Sequence, residues 1–244
     1  MYWICDAMKQ NDNTAPTATA TSTVIFSGGV DSTVLLYDLI AKGYYVEAIT
    51  FDYGQRHQKE IEYASKTCEL LNVPHNTLSL RSLFPIFIGS ALTDDAIDIP
   101  EGHYTDESQK ATVVPNRNSI LLNLAMAYSI SRKISAVAYG AHANDSTIYP
   151  DCRPAFITAI RQLAKTVDYV PLEILAPWEN LTKADVVKRG IELKVPFENT
   201  WSCYVGKEKA CGKCGTCVER LEAFKLAGIE DPIEYEVNEW LKLE

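Results

Sequence analysis

Residues 27–32 read Ser-Gly-Gly-Val-Asp-Ser, preceded by the run Thr23-Val24-Ile25-Phe26 and followed by the amphipathic segment 33–42. That order is a strand, a tight loop and a helix opening at Ser32. Adjacent glycines reach backbone angles closed to other residues and leave their N–H groups bare, so anionic oxygens can approach the main chain closely. The helix start adds unpaired N–H groups and a partial positive charge at the same place, which favours phosphate or pyrophosphate. Ser27, Asp31 and Ser32 are well placed to help, and Asp31 would repel the phosphates unless Mg²⁺ lay between them. No Gly-Lys-Ser/Thr ending follows, so the loop is not a Walker A motif and transfer of a terminal phosphoryl group is the weaker reading. The competing structural reading is a plain helix N-cap after a glycine turn.

Outward from this loop, strand and helix patterns alternate. Residues 45–51 and 76–80 read as strands around a helix at 58–71, and 119–131 as a strongly apolar helix before a short buried strand at 136–140. Pro154 suits a first helical position with a helix over 155–167, residues 170–175 read as a strand, and Thr182 caps a helix at 183–193. Alternation of this kind predicts an α/β fold with a parallel sheet covered on both faces. Residues 82–118 break the pattern in a long, proline-punctuated insertion of the sort used as lids or binding loops. Residues 142–153 read as a polar loop. Residues 1–22, rich in Ala and Thr, read as a loose leader, 23–200 as the nucleotide-binding domain and 201–244 as a small helical subdomain with helices at 216–227 and 232–243.

With 47% hydrophobic and 23% charged residues in 244, the chain has the composition of a folded protein with a full core. A formal charge of −9 argues against a nucleic-acid surface and favours a small-molecule substrate. No apolar run approaches the length of a membrane span, and the first residues lack a basic signal-peptide start. The expectation is a soluble, cytoplasmic protein.

Four of the seven cysteines, Cys203, Cys211, Cys214 and Cys217, follow a C-x7-C-x2-C-x2-C spacing with Gly212 and Gly215 in the turns. Short spacers let thiolates converge on one ion, and four of them fill a tetrahedral Zn²⁺ site with no open position, so the metal would be structural. A [4Fe–4S] cluster is the rival; zinc is preferred because the Cys-Pro ending of ferredoxin runs is missing. Cys5, Cys68 and Cys152 read as buried or incidental thiols.

The loop 26–33 (FSGGVDST) resembles the pyrophosphate loop of ATP pyrophosphatases, which cut ATP between the α and β phosphates. Together with FDYGQRH at 51–57, VPNRN at 114–118, YPDCRP at 149–154, Thr182-Lys183, SCY at 202–204 and CGKCGTCVER at 211–220, the chain resembles the QueC family of 7-cyano-7-deazaguanine synthases. Ile148 and Asn116 depart from it, standing where the family has Gly. The resemblance implies a ligase that converts 7-carboxy-7-deazaguanine, ammonia and ATP into the nitrile, with ATP, Mg²⁺ and Zn²⁺, and a homodimer. It implies an ATP loop of Phe26, Ser27, Gly28, Gly29, Val30, Asp31, Ser32 and Thr33. Asp31, Lys183, Arg117 and Arg153 are the catalytic candidates, and Gln55, Arg56, His57 and Asp151 the substrate-binding ones. Each basic residue also reads as a surface ion-pair partner, His57 as a satisfied structural group, and Asp151 as a cap for the following helix. Two other functions stay open: a sulfur-inserting tRNA pyrophosphatase and a zinc-stabilised nucleotide-binding module without catalysis.

Overall fold

The computed structural model describes residues 20–103, 110–205 and 208–237. Five strands, β1 (Thr21–Ile25), β2 (Tyr45–Asp52), β3 (His75–Ser79), β4 (Ala136–Ala138) and β5 (Glu173–Leu175), form one sheet in the order β3-β2-β1-β4-β5. Every pairing is parallel, so each strand is reached by a crossover, as the alternating pattern requires. The helices are α1 (Val30–Ala41), α2 (Lys59–Leu71), α3 (Arg117–Ser131), α4 (Ala143–Ile148), α5 (Pro154–Ala164), α6 (Lys183–Glu192) and α7 (Gly215–Ala227).

Side chains of a strand point alternately to its two faces, and β2 shows both. Val46 and Ala48 enter a core with α1, α2, α6 and α7, built from residues such as Val34, Leu35, Ala64, Val187 and Phe224. Ile49 and Phe51 enter the opposite core with Leu122 and Met126 of α3 and Ile157 and Ile160 of α5. Central β1 carries polar residues as well: Thr23 is fully buried, and its hydroxyl accepts from Ser129 Oγ at 2.7 Å. The Ser129 hydroxyl thereby meets the requirement that buried polar atoms be paired.

Several boundaries differ from the sequence expectation. Thr21 and Ser22 belong to β1, so the leader expected at 1–22 loses its last two residues to the sheet; residues 1–19, with Cys5, lie outside the described residues. Helix α1 begins at Val30, because Gly29 is the extended N-cap. Of the strand expected at 170–175 only Glu173–Leu175 pairs, while Tyr169 and Val170 are exposed. The polar loop expected at 142–153 holds α4 and a 3₁₀ turn, Pro150–Cys152. A helix expected over 232–243 is not formed at 232–237, where Tyr235 bridges to Ala210 and its hydroxyl donates to Asp231; the remainder lies outside the described residues.

Beyond residue 200 the chain returns to the main body. Cys203, Cys211, Cys214 and Cys217 cluster with Trp201, while Ala223 and Phe224 of α7 lie in the core of the sheet. Arg220 is 1% exposed and forms a two-pronged ion pair with equally buried Asp231 at 2.6 and 2.9 Å, and its third nitrogen donates to Thr200 Oγ1 at 2.8 Å. Removing one partner of such a pair strands a charge in the interior. Asp231→Asn is therefore expected to cost about 3–5 kcal/mol, read from the urea unfolding midpoint at unchanged slope.

Candidate active site

Strands β2 and β3 lie to one side of β1, and β4 and β5 to the other, so the order reverses between β1 and β4. Ligands of open α/β sheets bind beyond the strand C-termini at such a point. The Ser27–Ser32 loop follows β1 there, and Gly140 follows β4. A cavity of about 260 Å³ opens between them. Gly140 sits so close that a β-carbon on it would lie 3.2 Å from the Asp31 carbonyl carbon.

The loop is folded on itself. Ser32 Oγ accepts from the Ser27 N–H at 3.3 Å and lies 3.3 Å from the Gly29 carbonyl, to which it donates, while Gly29 N–H donates to Ser27 Oγ at 3.2 Å. The left-handed angle falls at Gly28, with φ +80°, and Gly29 is extended. A β-carbon at Gly28 would lie 2.5 Å from the Glu60 carbonyl oxygen and 2.8 Å from the Ala64 nitrogen, both backbone atoms of α2. The Gly28 carbonyl accepts from the Trp201 N–H at 2.9 Å. Ser27, Gly29, Asp31 and Ser32 line the cavity, and Phe26 joins them with its side chain in the core. Val30 is wholly buried and Thr33 is 1% exposed, so these two support the loop from beneath.

Asp31 and Lys183 meet in the cavity wall, with Nζ 3.0 Å from Asp31 Oδ2 and 3.2 Å from Glu219 Oε2. Burial opposes charge on Lys183, but Asp31 and Glu219 outweigh it and hold the ammonium above the ordinary lysine range. Burial likewise opposes charge on Asp31, and the Lys183 ammonium, which also donates a hydrogen bond to it, is the main group bringing its carboxyl below the usual value. The second Asp31 oxygen, Oδ1, is buried without a hydrogen-bond partner among the described residues. His142 Nε2 stands 3.7 Å from it. That spare oxygen fits a cation's ligand shell, the role expected for Asp31 toward Mg²⁺.

His142 and Asp145 escaped the sequence reading. His142 Nδ1 accepts from the Asp145 N–H at 3.3 Å and Asp145 Oδ2 from the His142 N–H at 3.2 Å, a capping box that starts α4 with His in place of Ser or Thr. Burial lowers the His142 pKa, with Asp31 acting in the opposite sense, and burial pushes Asp145 up to about 6. Thr182 and Asp185 build the same box at α6, which fixes the start of the helix that carries Lys183.

Part of the cavity lining is aromatic. Arg117 lies between Tyr53 and Tyr149, 5.9 Å from each ring centroid, and donates to Tyr53 Oη at 3.4 Å. Tyr149 and Tyr204 hydroxyls are 3.2 Å apart, and His57 packs 5.4 Å from Tyr204. Among the described residues no carboxylate pairs with Arg117 within 4 Å, a cation held in the cavity wall with hydrogen bonds to neutral groups only.

The remaining candidates stand elsewhere. Gln55 is buried and spends its amide on the Tyr53 N–H, the Phe51 carbonyl and Glu60. Arg56 binds the Ala91 and Ile97 carbonyls and Asp95, beside a separate groove formed with Asp98, Ile99 and Glu101. Arg153 is exposed and donates to the Ser146 carbonyl. Asp151 Oδ2 accepts from the Asn118 N–H at 2.9 Å, so it caps α3 rather than the helix that follows it. Asn116, the departure from glycine, takes φ +53° just before α3. Asn enters that left-handed region more readily than other side chains.

The four cysteine sulfurs lie within 4.8 Å of one another, and all four residues are buried. Cys211 and Cys217 sulfurs are 3.9 Å apart, close to the ~3.8 Å edge of a tetrahedron with Zn–S bonds of about 2.3 Å. Backbone N–H groups of Cys211 and Cys214 donate to Cys203 and Cys211 sulfurs at 3.3 Å, which suits thiolates. Residues 203, 211, 214 and 217 thus fit a single four-coordinate ion.

Gly28→Ala is expected to destabilise the fold by about 2 kcal/mol or more, since left-handed strain of about 1–2 kcal/mol adds to a clash with α2 backbone. Gly29→Ala should leave the unfolding midpoint nearly unchanged. Equal shifts for the two variants would disprove this assignment of the strained position.

The model of the queuosine biosynthesis protein QueC matches residues 21–228. The 7-cyano-7-deazaguanine synthase of Caldicellulosiruptor bescii is 52% identical over 215 residues, covering 88% of this chain and 97% of that relative. Its counterpart from Methanoregula boonei is 53% identical over 213 residues, covering 87% and 98%. Among solved structures, NMN synthetase from Francisella tularensis superposes with a TM-score of 0.47 at 18% identity, covering 88% of this chain and 79% of its own. The match runs from the first strand to the end of α7, through both the glycine loop and the cysteine cluster, and on it the chain belongs to the QueC family of queuosine biosynthesis proteins.

Proposed function

We propose that this protein converts 7-carboxy-7-deazaguanine, ammonia and ATP into 7-cyano-7-deazaguanine in the cavity between β1 and β4. The observation that carries the reading is Arg117, a cation in the cavity wall that forms no ion pair within 4 Å among the described residues, Asp145 and Asp151 acting on it only from farther away, and that is set among Tyr53, Tyr149 and Tyr204. A planar, anionic heterocycle meets both needs: rings for its faces and a guanidinium for its carboxylate. The glycine loop lining the same cavity supplies N–H groups for the ATP phosphates.

A carboxylate is a poor electrophile, and transfer of AMP turns one of its oxygens into a leaving group while pyrophosphate departs. Ammonia displaces AMP to give the amide. A second AMP transfer to the amide oxygen, followed by loss of AMP and a proton, leaves the nitrile. Arg117 holds the acid, and Lys183 offsets charge that grows on the phosphates. Asp31, with its spare Oδ1, would hold Mg²⁺, which screens the phosphates from that carboxylate. Cys203, Cys211, Cys214 and Cys217, none of which lines the cavity, would hold a structural Zn²⁺.

With ¹⁵N-ammonium, the acid, Mg²⁺ and ATP, mass spectrometry should find two AMP and two pyrophosphate per nitrile, with the labelled amide as a transient. ADP in place of AMP, or amide persisting under excess ATP, would sink the mechanism. Arg117→Met should lower kcat/KM for the acid roughly 10- to 150-fold, the loss of a charged hydrogen bond of about 1.5–3 kcal/mol.

The purified protein should be colourless and carry one zinc per chain by elemental analysis. Cys214→Ser should lower the unfolding temperature or the soluble yield before it touches chemistry, because metal-binding energy is part of the folding energy. Iron and sulfide at cluster stoichiometry would replace zinc in this account.

A further inference from the structure

Resting on the reading that ATP binds at the Ser27–Ser32 loop, we propose that Glu219 is a positioning residue that holds the Lys183 ammonium in place when the free oxygen of Asp31 engages a cation. Lys183 is 6% exposed, and its Nζ donates to two carboxylates from different elements, Asp31 of α1 and Glu219 of α7. A lysine paired only with Asp31 would have to share its single carboxylate with any cation that the free Oδ1 engaged. The second carboxylate makes the position of the ammonium independent of Asp31.

The backbone of Glu219 is pinned on both sides. Two residues before it, Cys217 belongs to the cysteine cluster, and the next residue, Arg220, is locked to Asp231 in the interior. Helix α7 also sends Phe224 into the core beside Val186 and Val187 of α6, so the two helices that carry the pair are packed together. Lys183 is fixed at its own backbone, where its N–H donates to Asn144 Oδ1 of α4 at 3.0 Å. Asp145 and His142 are the other ionisable groups facing the ammonium, and neither hydrogen-bonds to it. Asp31, Lys183 and Glu219 all line the cavity, but Asp31 and Glu219 differ in kind: Asp31 sits on the glycine loop and has an oxygen to spare, whereas Glu219 sits on a helix fixed on both sides of it.

A double-mutant cycle tests this with two readouts, ATP affinity by calorimetry and kcat for AMP release. Glu219→Gln is expected to retain its zinc and its unfolding midpoint, and to lower kcat by roughly tenfold, less than the roughly 10²–10³ expected for removal of a direct transition-state donor. Glu219→Asp should recover part of the loss. In a Lys183→Met background, Glu219→Gln should have almost no further effect on either kcat or ATP affinity, since its action passes through the lysine. Additive losses in the double variant, or a Glu219→Gln protein within twofold of the parent in both readouts, would overturn the proposal. If the parent binds ATP but makes no AMP from the deazaguanine acid, the reaction assignment fails by itself, and the affinity cycle still decides the role of Glu219.

Discussion

The constraint behind the site is the passage of α2 backbone against Gly28. The Glu60 carbonyl and the Ala64 nitrogen occupy the space that any side chain at position 28 would need. Absence of a β-carbon lets the helix press against the loop, and a left-handed φ turns the chain from β1 toward α1. On its other side the same residue gives its carbonyl to Trp201, which brings the cysteine-bearing segment to the cavity rim. Three parts of the chain far apart in sequence thus converge on one glycine.

Much of this was legible from residue patterns, and the reasons are physical. Sheet and helices follow from apolar periods of two and 3.6, and parallel topology from their alternation. The cysteine cluster follows from spacing, because short loops bring sulfurs together whatever the surrounding fold. The start of α4 was missed because His142 does the work usually read from Ser or Thr, although its partner three residues on, Asp145, was in plain sight. Thr182 and Asp185 make the same reciprocal contact, and there Thr182 revealed the helix. Positive φ was harder to place: two neighbouring glycines look alike in sequence, and only Gly28 faces α2.

Placing side chains within a motif was harder than finding the motif. FDYGQRH follows β2 toward the cavity, yet Gln55 and Arg56 turn to backbone partners while Tyr53 and His57 face the space. Arg117 and Arg153 are equivalent as basic residues in short motifs. One is set between two tyrosines and the other lies on the surface. Glu219 had no signal apart from its place between a cysteine and an arginine. Its meaning arises from α6 and α7 lying side by side, a contact between residues 36 apart in sequence.

The all-parallel sheet also sets a timetable for synthesis. β1 pairs with β2 soon after both emerge, but Ser22 pairs with Ala136 across 114 residues. At roughly 5–20 residues per second, one edge of the central strand stays bare on the ribosome for about 6–23 s. A bare strand is a template for wrong pairing, and polar positions blunt it. Thr21, Ser22 and Thr23 are a hydroxyl-bearing start to a strand that ends up at the centre of the sheet, and the later arrival of Ser129 gives the buried Thr23 hydroxyl its partner. Residues that look misplaced in a finished core are well suited to a strand that must wait for its neighbour.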